Sequence, residues 1–204
     1  MLNIRWRYPD KPKEIFSLSM VKSGEYLCQT KQDGFRCLIL KDNDQIFFMS
    51  RHRKPLPVSK ILHAEVEKLQ MTNGTVFDSE WTSRREANKE EAIYLFSVVY
   101  HNYEWLGKKT EEERYNRLEI IKPTANIHII ESKYSDYDQH YKSTIYNWKT
   151  EGIVLKKKTT QLIGGLEKSY DNPGFLKAKW RLGSSGTTLN IIPDDKLVYE
   201  KCAH

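Results

Sequence analysis

The segment Lys31-Gln32-Asp33-Gly34-Phe35-Arg36 constrains this chain more than any other feature. It places a lysine two residues before a carboxylate, followed by a glycine and an arginine. Side chains at positions i and i+2 of an extended strand share a face, so Lys31 and Asp33 are expected to point the same way. Gly34 lets the backbone turn without a Cβ in the way, and Arg36 is expected to return a positive charge to the same pocket. A lysine that attacks a phosphate group needs a partner that orients the amine and cations that hold the phosphate charge.

Six residues taken alone also fit an ordinary strand and turn with surface charges. Five later segments favour the chemical interpretation, and they are Met49-Ser50-Arg51, Thr75–Trp81, Ile93–Val99, Glu151–Lys156 and Phe175–Trp180. Together with the first segment, they resemble in order the motifs of the covalent nucleotidyltransferases, which include ATP-dependent DNA ligases, RNA ligases and mRNA capping enzymes. The resemblance covers about residues 26 to 180, with Ser79 and Ser97 departing from the usual family residues.

The composition fits a folded protein with a polyanionic partner. The 204 residues include 39% hydrophobic and 12% aromatic side chains, which argues against a disordered chain. No stretch is long and apolar enough to span a bilayer, so no membrane partner is expected. Cys28, Cys37 and Cys202 are odd in number and lack metal-ligand spacing, which favours reduced thiols in a cytoplasmic protein. The net charge of +6 favours nucleic acid.

The pattern of apolar residues predicts strands, a few helices and an α+β fold. Helices are expected at Ser59 to Leu69, Thr110 to Ile121 and Ser135 to Trp148, and a polar loop at Thr82 to Glu91. Strands are expected at Tyr26 to Cys28, Cys37 to Leu40, Ile46 to Met49, Thr75 to Trp81, Ile93 to Tyr100, Ile127 to Glu131, Gly152 to Lys158 and Phe175 to Trp180. We expect antiparallel sheets packed with helices around a nucleotide-binding cleft.

The resemblance implies a catalytic set. Lys31 is expected to be the nucleophile that accepts AMP, and Asp33 to orient it. Arg36 is expected to contact the ribose or the bound phosphate. Lys177 and Lys179 are expected to share a strand face and to hold the α-phosphate of ATP. The two lysines taken alone also fit a solvent-facing strand edge.

The resemblance also implies how the cofactors bind. Phe96 is expected to stack on the purine, although it also fits a core phenylalanine, and Gln29 to contact the purine edge. The remaining nucleotide contacts are expected from Thr30, Arg51 and Glu80. Mg²⁺ (or Mn²⁺) takes few protein carboxylates, so Glu80 and Glu151 are expected to suffice as its ligands.

Two basic clusters lie beside these motifs. Arg53 and Lys54 follow the Ser-Arg segment, and Lys157 and Lys158 continue the Glu-Gly segment. They are expected to contact the nucleic-acid backbone, and a solvated surface is the alternative.

The motif set predicts a DNA-ligase-like polynucleotide ligase that joins a 5′-phosphate end to a 3′-hydroxyl in DNA repair or replication. The alternatives are an RNA ligase, a GTP-using capping guanylyltransferase and a non-catalytic nucleic-acid-binding module. One nucleotidyltransferase domain is expected over residues 1–204, with 181–204 as a short C-terminal extension. That tail is too short for an OB-fold domain. The chain is therefore expected to be a naturally minimal ligase, a fragment, or a protein whose missing OB-fold is replaced by an accessory protein or domain. It is expected to be a monomer.

Overall fold

A computed structural model describes residues 6–15, 17–19, 21–82, 91–145, 147, 149–179, 187–191 and 197–201. Most of the predicted polar loop (83–90), Trp180 and Cys202 lie outside these ranges. The chain divides into two compact units. Unit 1 consists of Met1–Lys11, Gly34–Ile130 and Thr159–Asn172, and unit 2 of Pro12–Asp33, Glu131–Lys158 and Pro173–His204.

The elements follow the predicted order of strands and helices. The strands are β1 (Lys11–Glu14), β2 (Tyr26–Gln32), β3 (Phe35–Asp42), β4 (Gln45–Ser50), β5 (Thr75–Thr82), β6 (Ala92–His101), β7 (Glu104–Trp105), β8 (Ile127–Ile129), β9 (Ser132–Lys133), β10 (Thr150–Lys157), β11 (Asp171–Lys179), β12 (Thr187–Ile191) and β13 (Leu197–Lys201). The helices are α1 (Lys60–Glu67), α2 (Glu111–Asn116) and α3 (Tyr137–Thr144), with 3₁₀ turns at Leu106–Lys108 and Arg117–Ile120. All eight predicted strands and all three predicted helices are present. The short strands β1, β7 and β9 and the β12–β13 pair were not predicted.

Two of the helices are shorter than the sequence pattern predicts. Thr110 begins α2 with a capping box to Glu113, as its position suggested, but the last predicted turn is 3₁₀. Helix α3 ends at Thr144, whose carbonyl accepts a hydrogen bond from Thr150 Oγ1 at 3.0 Å. In a longer helix the Thr144 carbonyl would accept from a backbone N–H of the next turn. The bond from Thr150 satisfies this carbonyl instead, and the helix ends there.

Unit 1 is built on a sheet of order β4-β3-β5-β6-β7, with β8 parallel to β6. One face packs on α1 through Leu62 and Val66, beside buried Ile39, Phe77 and Leu95. The opposite face forms a second cluster with Trp6, Leu38, Leu40, Val76 and Tyr100. Burial of each large aliphatic side chain contributes about 1.5–3 kcal/mol, which explains why these two faces hold the unit together.

Unit 2 is built on a sheet of order β1-β11-β10-β2-β9. One face packs on α3, where Tyr137 and Tyr141 contact a core that includes Cys28, Ile153 and Leu155. Strands β12 and β13 form a separate antiparallel pair. In the part of the chain that the structure describes, no helix has the length and apolar character needed to cross a membrane.

Candidate active site

The predicted site residues divide between the two units. Lys31 lies near the end of β2 in unit 2, where it pairs with Gly152 of β10. Lys177 and Lys179 lie on β11 opposite Val154 and Gly152, so antiparallel pairing places them on the same sheet face as Lys31. The predicted sharing of one strand face by Lys177 and Lys179 is confirmed.

Glu151 joins two of these lysines. Its Oε1 accepts a hydrogen bond from Lys31 Nζ, and its Oε2 lies 2.6 Å from Lys179 Nζ. The Lys31, Lys179 and Glu151 side chains are only 20%, 18% and 13% exposed. Lys177 is paired more loosely with Glu14, at 3.8 Å. The described partner of the Lys31 ammonium is therefore Glu151.

A β-bulge gives Glu151 this position. Thr150 pairs with Gln32 and Gly152 with Lys31, so Glu151 is an additional residue without a register partner. Regular alternation from Ile153 would turn its side chain towards α3, and the bulge turns it to the lysine face instead. Gly152 has φ +138°, and a Cβ there would lie 2.0 Å from the carbonyl oxygen of Ala178. The backbone therefore explains the Glu-Gly pair of the motif: the bulge orients Glu151, and the next position has no room for a Cβ.

Three expectations for unit 2 need correction. Strand β2 ends at Gln32, so Asp33 lies beyond the strand and the alternation argument does not place it beside Lys31. Thr30 lies on the opposite face, where Oγ1 hydrogen-bonds to His140 Nε2 at 3.1 Å. Gln29 shares the Lys31 face but is 2% exposed, and Nε2 donates to Ser132 Oγ at 3.0 Å.

In unit 1, Arg36 forms a two-point ion pair with Asp78. Its Nε and Nη2 donate to the two carboxylate oxygens of Asp78, whose side chain is 6% exposed. Burial disfavours the charged guanidinium, but the Asp78 charge and hydrogen bonds outweigh this and raise the pKa of Arg36 above its ordinary value. Asp78 was not predicted from the sequence as a site residue. Its position on β5, two residues from Glu80 and on the same face, was the available signal.

Arg36 also covers the predicted purine-stacking residue. Its guanidinium carbon lies 4.9 Å from the ring centre of Phe96, a cation–π distance. Phe96 is itself an additional residue in a bulge, because the register passes from Ser79–Leu95 to Asp78–Ser97. Each unit thus uses a bulge to present one predicted site residue.

The two serines that depart from the family pattern have different environments. Ser79 Oγ donates to the carbonyl of Cys37 at 2.6 Å, so the added hydroxyl is satisfied inside the sheet. Ser97 Oγ is buried without a hydrogen-bond partner among the described residues. Gly34 does not have a positive φ, so no left-handed turn requires a glycine there. A Cβ there would lie 2.6 Å from the carbonyl oxygen of Trp81, so close backbone approach is its constraint.

The residues predicted for metal binding, Glu80 and Glu151, lie in different units. No group of three His, Cys, Asp or Glu side chains that could hold an ion occurs in the described ranges. Carboxylate oxygens suit Mg²⁺, which fills most of its coordination with water and phosphate oxygens. In unit 2, a metal at Glu151 would share the carboxylate oxygens with the two ammonium groups from which they accept.

The basic residues predicted to contact nucleic acid differ in environment. Lys157 lies 3.8 Å from Glu25 and stays 45% exposed, and Lys158 Nζ lies 4.5 Å from the Tyr134 ring centre. Lys54 is exposed, as is Arg51, which was predicted to contact the nucleotide rather than nucleic acid. Arg53 instead donates to the carbonyls of Trp6 and Leu166, at 2.6 and 3.1 Å. We therefore assign Arg53 a structural role rather than a phosphate contact.

The cysteines have the predicted character. Cys28 and Cys37 are buried and form no disulfide, and burial raises the pKa of the Cys28 thiol to about 12. Burial likewise raises the pKa of Cys37. Neither thiol is therefore suited to be a nucleophile.

No protein-family model and no curated protein sequence matches this chain. Solved structures do match. The ligase domain of M. tuberculosis LigD aligns with 16% identity and a TM-score of 0.62, over 89% of this chain and 67% of that domain. The ATP-dependent DNA ligase of bacteriophage T7, solved with ATP, aligns with 16% identity and a TM-score of 0.57. The alignment covers 95% of this chain and 80% of the T7 ligase chain. An archaeal ATP-dependent RNA ligase gives 13% and 0.58, over 83% of this chain and 47% of that one.

The structural similarity shows a shared fold, and at identities this low it shows no more than the fold. The described sheets and helices are α+β, as predicted, and the motif segments fall on strands of both sheets. The chain has the fold of the nucleotidyltransferase domain of ATP-dependent DNA and RNA ligases.

Proposed function

We propose that this protein is an ATP-dependent polynucleotide ligase that carries AMP on Lys31. The observation that supports this most directly is in unit 2. Lys31, Lys177 and Lys179 share a sheet face, and Glu151 holds two of them in place. Three half-buried ammonium groups on one face suit a triphosphate, because each can neutralise phosphate charge in a poorly solvated place.

In the first step, the free amine of Lys31 attacks the α-phosphorus of ATP. A P–N bond forms, the bond to the bridging oxygen breaks, pyrophosphate leaves, and the amine proton passes to solvent. Lys177 and Lys179 hold the charge that develops on the α-phosphate oxygens. Glu151 or Glu80 would hold Mg²⁺, which would supply further charge neutralisation at the phosphates when bound.

In the later steps, a 5′-phosphate end takes AMP from Lys31, and a 3′-hydroxyl then displaces AMP to form the phosphodiester. In unit 1, Phe96 and Glu80 are proposed to recognise the nucleoside. Arg36 is proposed to contact ribose or phosphate. Because its guanidinium lies over the Phe96 ring, a base that stacks there would use the other face of the ring or displace Arg36. Asp78 anchors Arg36 and is a positioning residue in this proposal.

ATP is favoured over GTP by the Glu-Gly segment and by the ATP complexes among the similar structures. DNA is favoured over RNA because many RNA ligases lack an arginine at the position of Arg36. The segment Trp105–Gly107, followed by Glu113-Arg114 and Leu118, also resembles DNA ligases. An RNA ligase is the second candidate, because an RNA ligase also shares the fold. Sealing assays on nicked DNA, nicked RNA and single-stranded RNA, each with a 5′-phosphate, separate the two.

The test of the proposal is self-adenylylation. The full chain is incubated with α-labelled ATP and Mg²⁺, and label on the denatured protein is measured. We expect wild type and Lys133→Ala, an exposed lysine of the same sheet, to be labelled, and Lys31→Ala to be unlabelled with an unchanged Tm. A chain that binds nucleic acid but takes no label is a binding module, and labelling of Lys31→Ala would falsify the assignment.

A further inference from the structure

The segment of residues 159–170, between β10 and β11, carries twelve residues without regular secondary structure. Irregular connections of more than about 12–15 residues are uncommon in compact domains and are usually either functional or disordered, and this one lies at the lower end of that range. This connection, here called the β10–β11 loop, belongs to unit 1 and is described throughout. Three of its large apolar side chains are exposed: Ile163 by 45%, Leu166 by 43% and Tyr170 by 42%.

The backbone of the β10–β11 loop is fixed. Asp10 is buried, and its carboxylate accepts from the backbone N–H groups of Ile163 and Gly164 at 2.8 and 2.9 Å. Tyr8 N donates to the carbonyl of Gly165 at 2.7 Å, and Leu162 N to that of Gly107 at 2.9 Å. A loop fixed in this way can present apolar side chains to a partner with little ordering cost.

Two arginines hydrogen-bond to the loop backbone that carries these exposed side chains. Arg7 donates to the carbonyl of Gly164 and stacks on Trp105, with 4.1 Å from guanidinium to ring centre. Arg53 donates to the carbonyl of Leu166 and stacks on Tyr8, also at 4.1 Å. Within the described residues, neither arginine forms an ion pair with a carboxylate.

Arg53 also connects the loop to a second basic element. It belongs to the turn after β4, in which Arg51 and Lys54 are exposed, and its guanidinium reaches the loop at Leu166. Lys168 adds a further exposed cation, with Nζ 5.5 Å from the Tyr170 ring centre. Exposed cations and exposed apolar or aromatic side chains therefore lie side by side on one rigid part of unit 1.

From this juxtaposition we propose that the β10–β11 loop and the 51–54 turn form a nucleic-acid contact surface. Arg51, Lys54 and Lys168 contact phosphates, and Leu166 and Tyr170 contact sugar and base faces. A cationic surface with aromatic side chains is complementary to a nucleic-acid strand, whereas an apolar protein partner would leave these charges unpaired. The inference rests on the proposed function, since it names where that enzyme's substrate binds.

The experiment compares nucleic-acid affinity with adenylylation in the full chain. The test variant is Leu166→Ser with Tyr170→Ser, which removes only exposed side chains. The matched control is Ile61→Ser with Ile120→Ser, two other exposed apolar residues of unit 1. Fluorescence anisotropy with a labelled nicked duplex and a labelled single strand reports Kd. Label from α-labelled ATP reports adenylylation, and light scattering reports the oligomeric state.

We expect the test variant to raise Kd about fivefold or more, with adenylylation unchanged and no effect in the control. Lys168→Ala is expected to reduce the salt slope of log Kd by about 1. The surface proposal is overturned if the test variant binds nucleic acid as tightly as wild type, or if the control variant loses as much affinity as the test variant. It is also overturned if wild type binds no nucleic acid, or if the test variant only converts a dimer into a monomer. A chain that adenylylates but behaves in one of these ways keeps the proposed function and loses only this surface.

Discussion

At the scale of single residues, Glu151 links the two lysines on which the proposed chemistry depends. Its carboxylate accepts from Lys31 and Lys179 at the same time. Lys157 and Lys158 lie outward along or just beyond the same strand, and contact Glu25 and the Tyr134 ring. Residues close in the sequence are thus expected to act in different steps.

This expectation can be tested by comparing two pairs of lysine variants. We expect Lys177→Ala or Lys179→Ala to slow enzyme–AMP formation by about 100-fold or more, because each removes a preorganised donor to the α-phosphate. Lys157→Ala with Lys158→Ala is expected to spare adenylylation and to lower the salt slope of nucleic-acid binding by about 1 per lost contact. Labelling rates and anisotropy at several salt concentrations measure both. Loss of labelling in the Lys157→Ala, Lys158→Ala variant would show that these two lysines also act in adenylylation, contrary to the prediction.

Two tyrosines of α3 provide a matched test of buried polar groups. Tyr141 Oη is buried without a hydrogen-bond partner in the described ranges. Tyr137 Oη accepts from the N–H groups of Gly24 and Tyr26, and its single proton is within reach of the carbonyls of Tyr26 and Tyr134. Tyr141→Phe is expected to raise the free energy of unfolding by about 1 kcal/mol, because an uncompensated hydroxyl leaves the core. Tyr137→Phe is expected to lower it by about 1–3 kcal/mol. Urea unfolding measures both, and equal effects of the two changes would contradict the assignment.

The same pair predicts a pH dependence. Burial raises the pKa of Tyr141 to about 12, above the value of about 10 for an unfolded tyrosine. Between these values the unfolded chain loses a proton that the folded chain keeps, so wild-type stability is expected to fall as pH rises above about 10. Tyr141→Phe is expected to weaken this fall. Urea midpoints between pH 8 and 11 provide the measurement.

At the scale of elements, a β-bulge in each unit orients one predicted site residue. One turns Glu151 to the lysine face of unit 2, and the other presents Phe96 in unit 1. Bulges are common next to active sites because they re-aim one side chain without disturbing the rest of the sheet.

A pair of glycine substitutions tests the bulge at Glu151. Gly152→Ala is expected to abolish adenylylation and to lower Tm strongly, because its Cβ would lie 2.0 Å from the Ala178 carbonyl oxygen. Gly24→Ala is the control, since Gly24 also has a positive φ, +82°, but its Cβ would meet no atom within 4 Å. It is expected to cost about 1–2 kcal/mol from backbone strain alone and to keep activity. Full activity of Gly152→Ala would argue against a role for the bulge.

At the scale of the whole molecule, the arrangement predicts nucleotide choice. We expect α-labelled ATP to label the protein and α-labelled GTP to label it poorly, because the motif set resembles ligases rather than capping enzymes. Parallel labelling reactions at equal nucleotide concentration, with Lys31→Ala as the blank, measure the ratio. Preferential transfer of GMP would move the protein to the capping branch.

The sequence by itself determined the order of the motifs, the α+β fold and the elements that carry them. Strand alternation and helix caps are local properties, so Lys177 and Lys179 on one face, or Thr110 at a cap, could be predicted from a few neighbouring residues. The buried, unpaired state of Cys28 and Cys37 followed from their apolar surroundings in the sequence.

The tertiary structure alone decided which groups meet. Lys31 and Glu151 are 120 residues apart in sequence, and Arg36 and Asp78 are 42 apart, so no local pattern pairs them. A bulge inserts one residue into a register that the sequence letters do not mark, yet it decides which face Glu151 occupies. Arg53 resembled a phosphate ligand in sequence, but folding brings it against the carbonyls of Trp6 and Leu166. Whether a charged side chain binds a partner or its own fold depends on such distant contacts, because a buried or anchored donor bonds to the acceptors that folding places beside it.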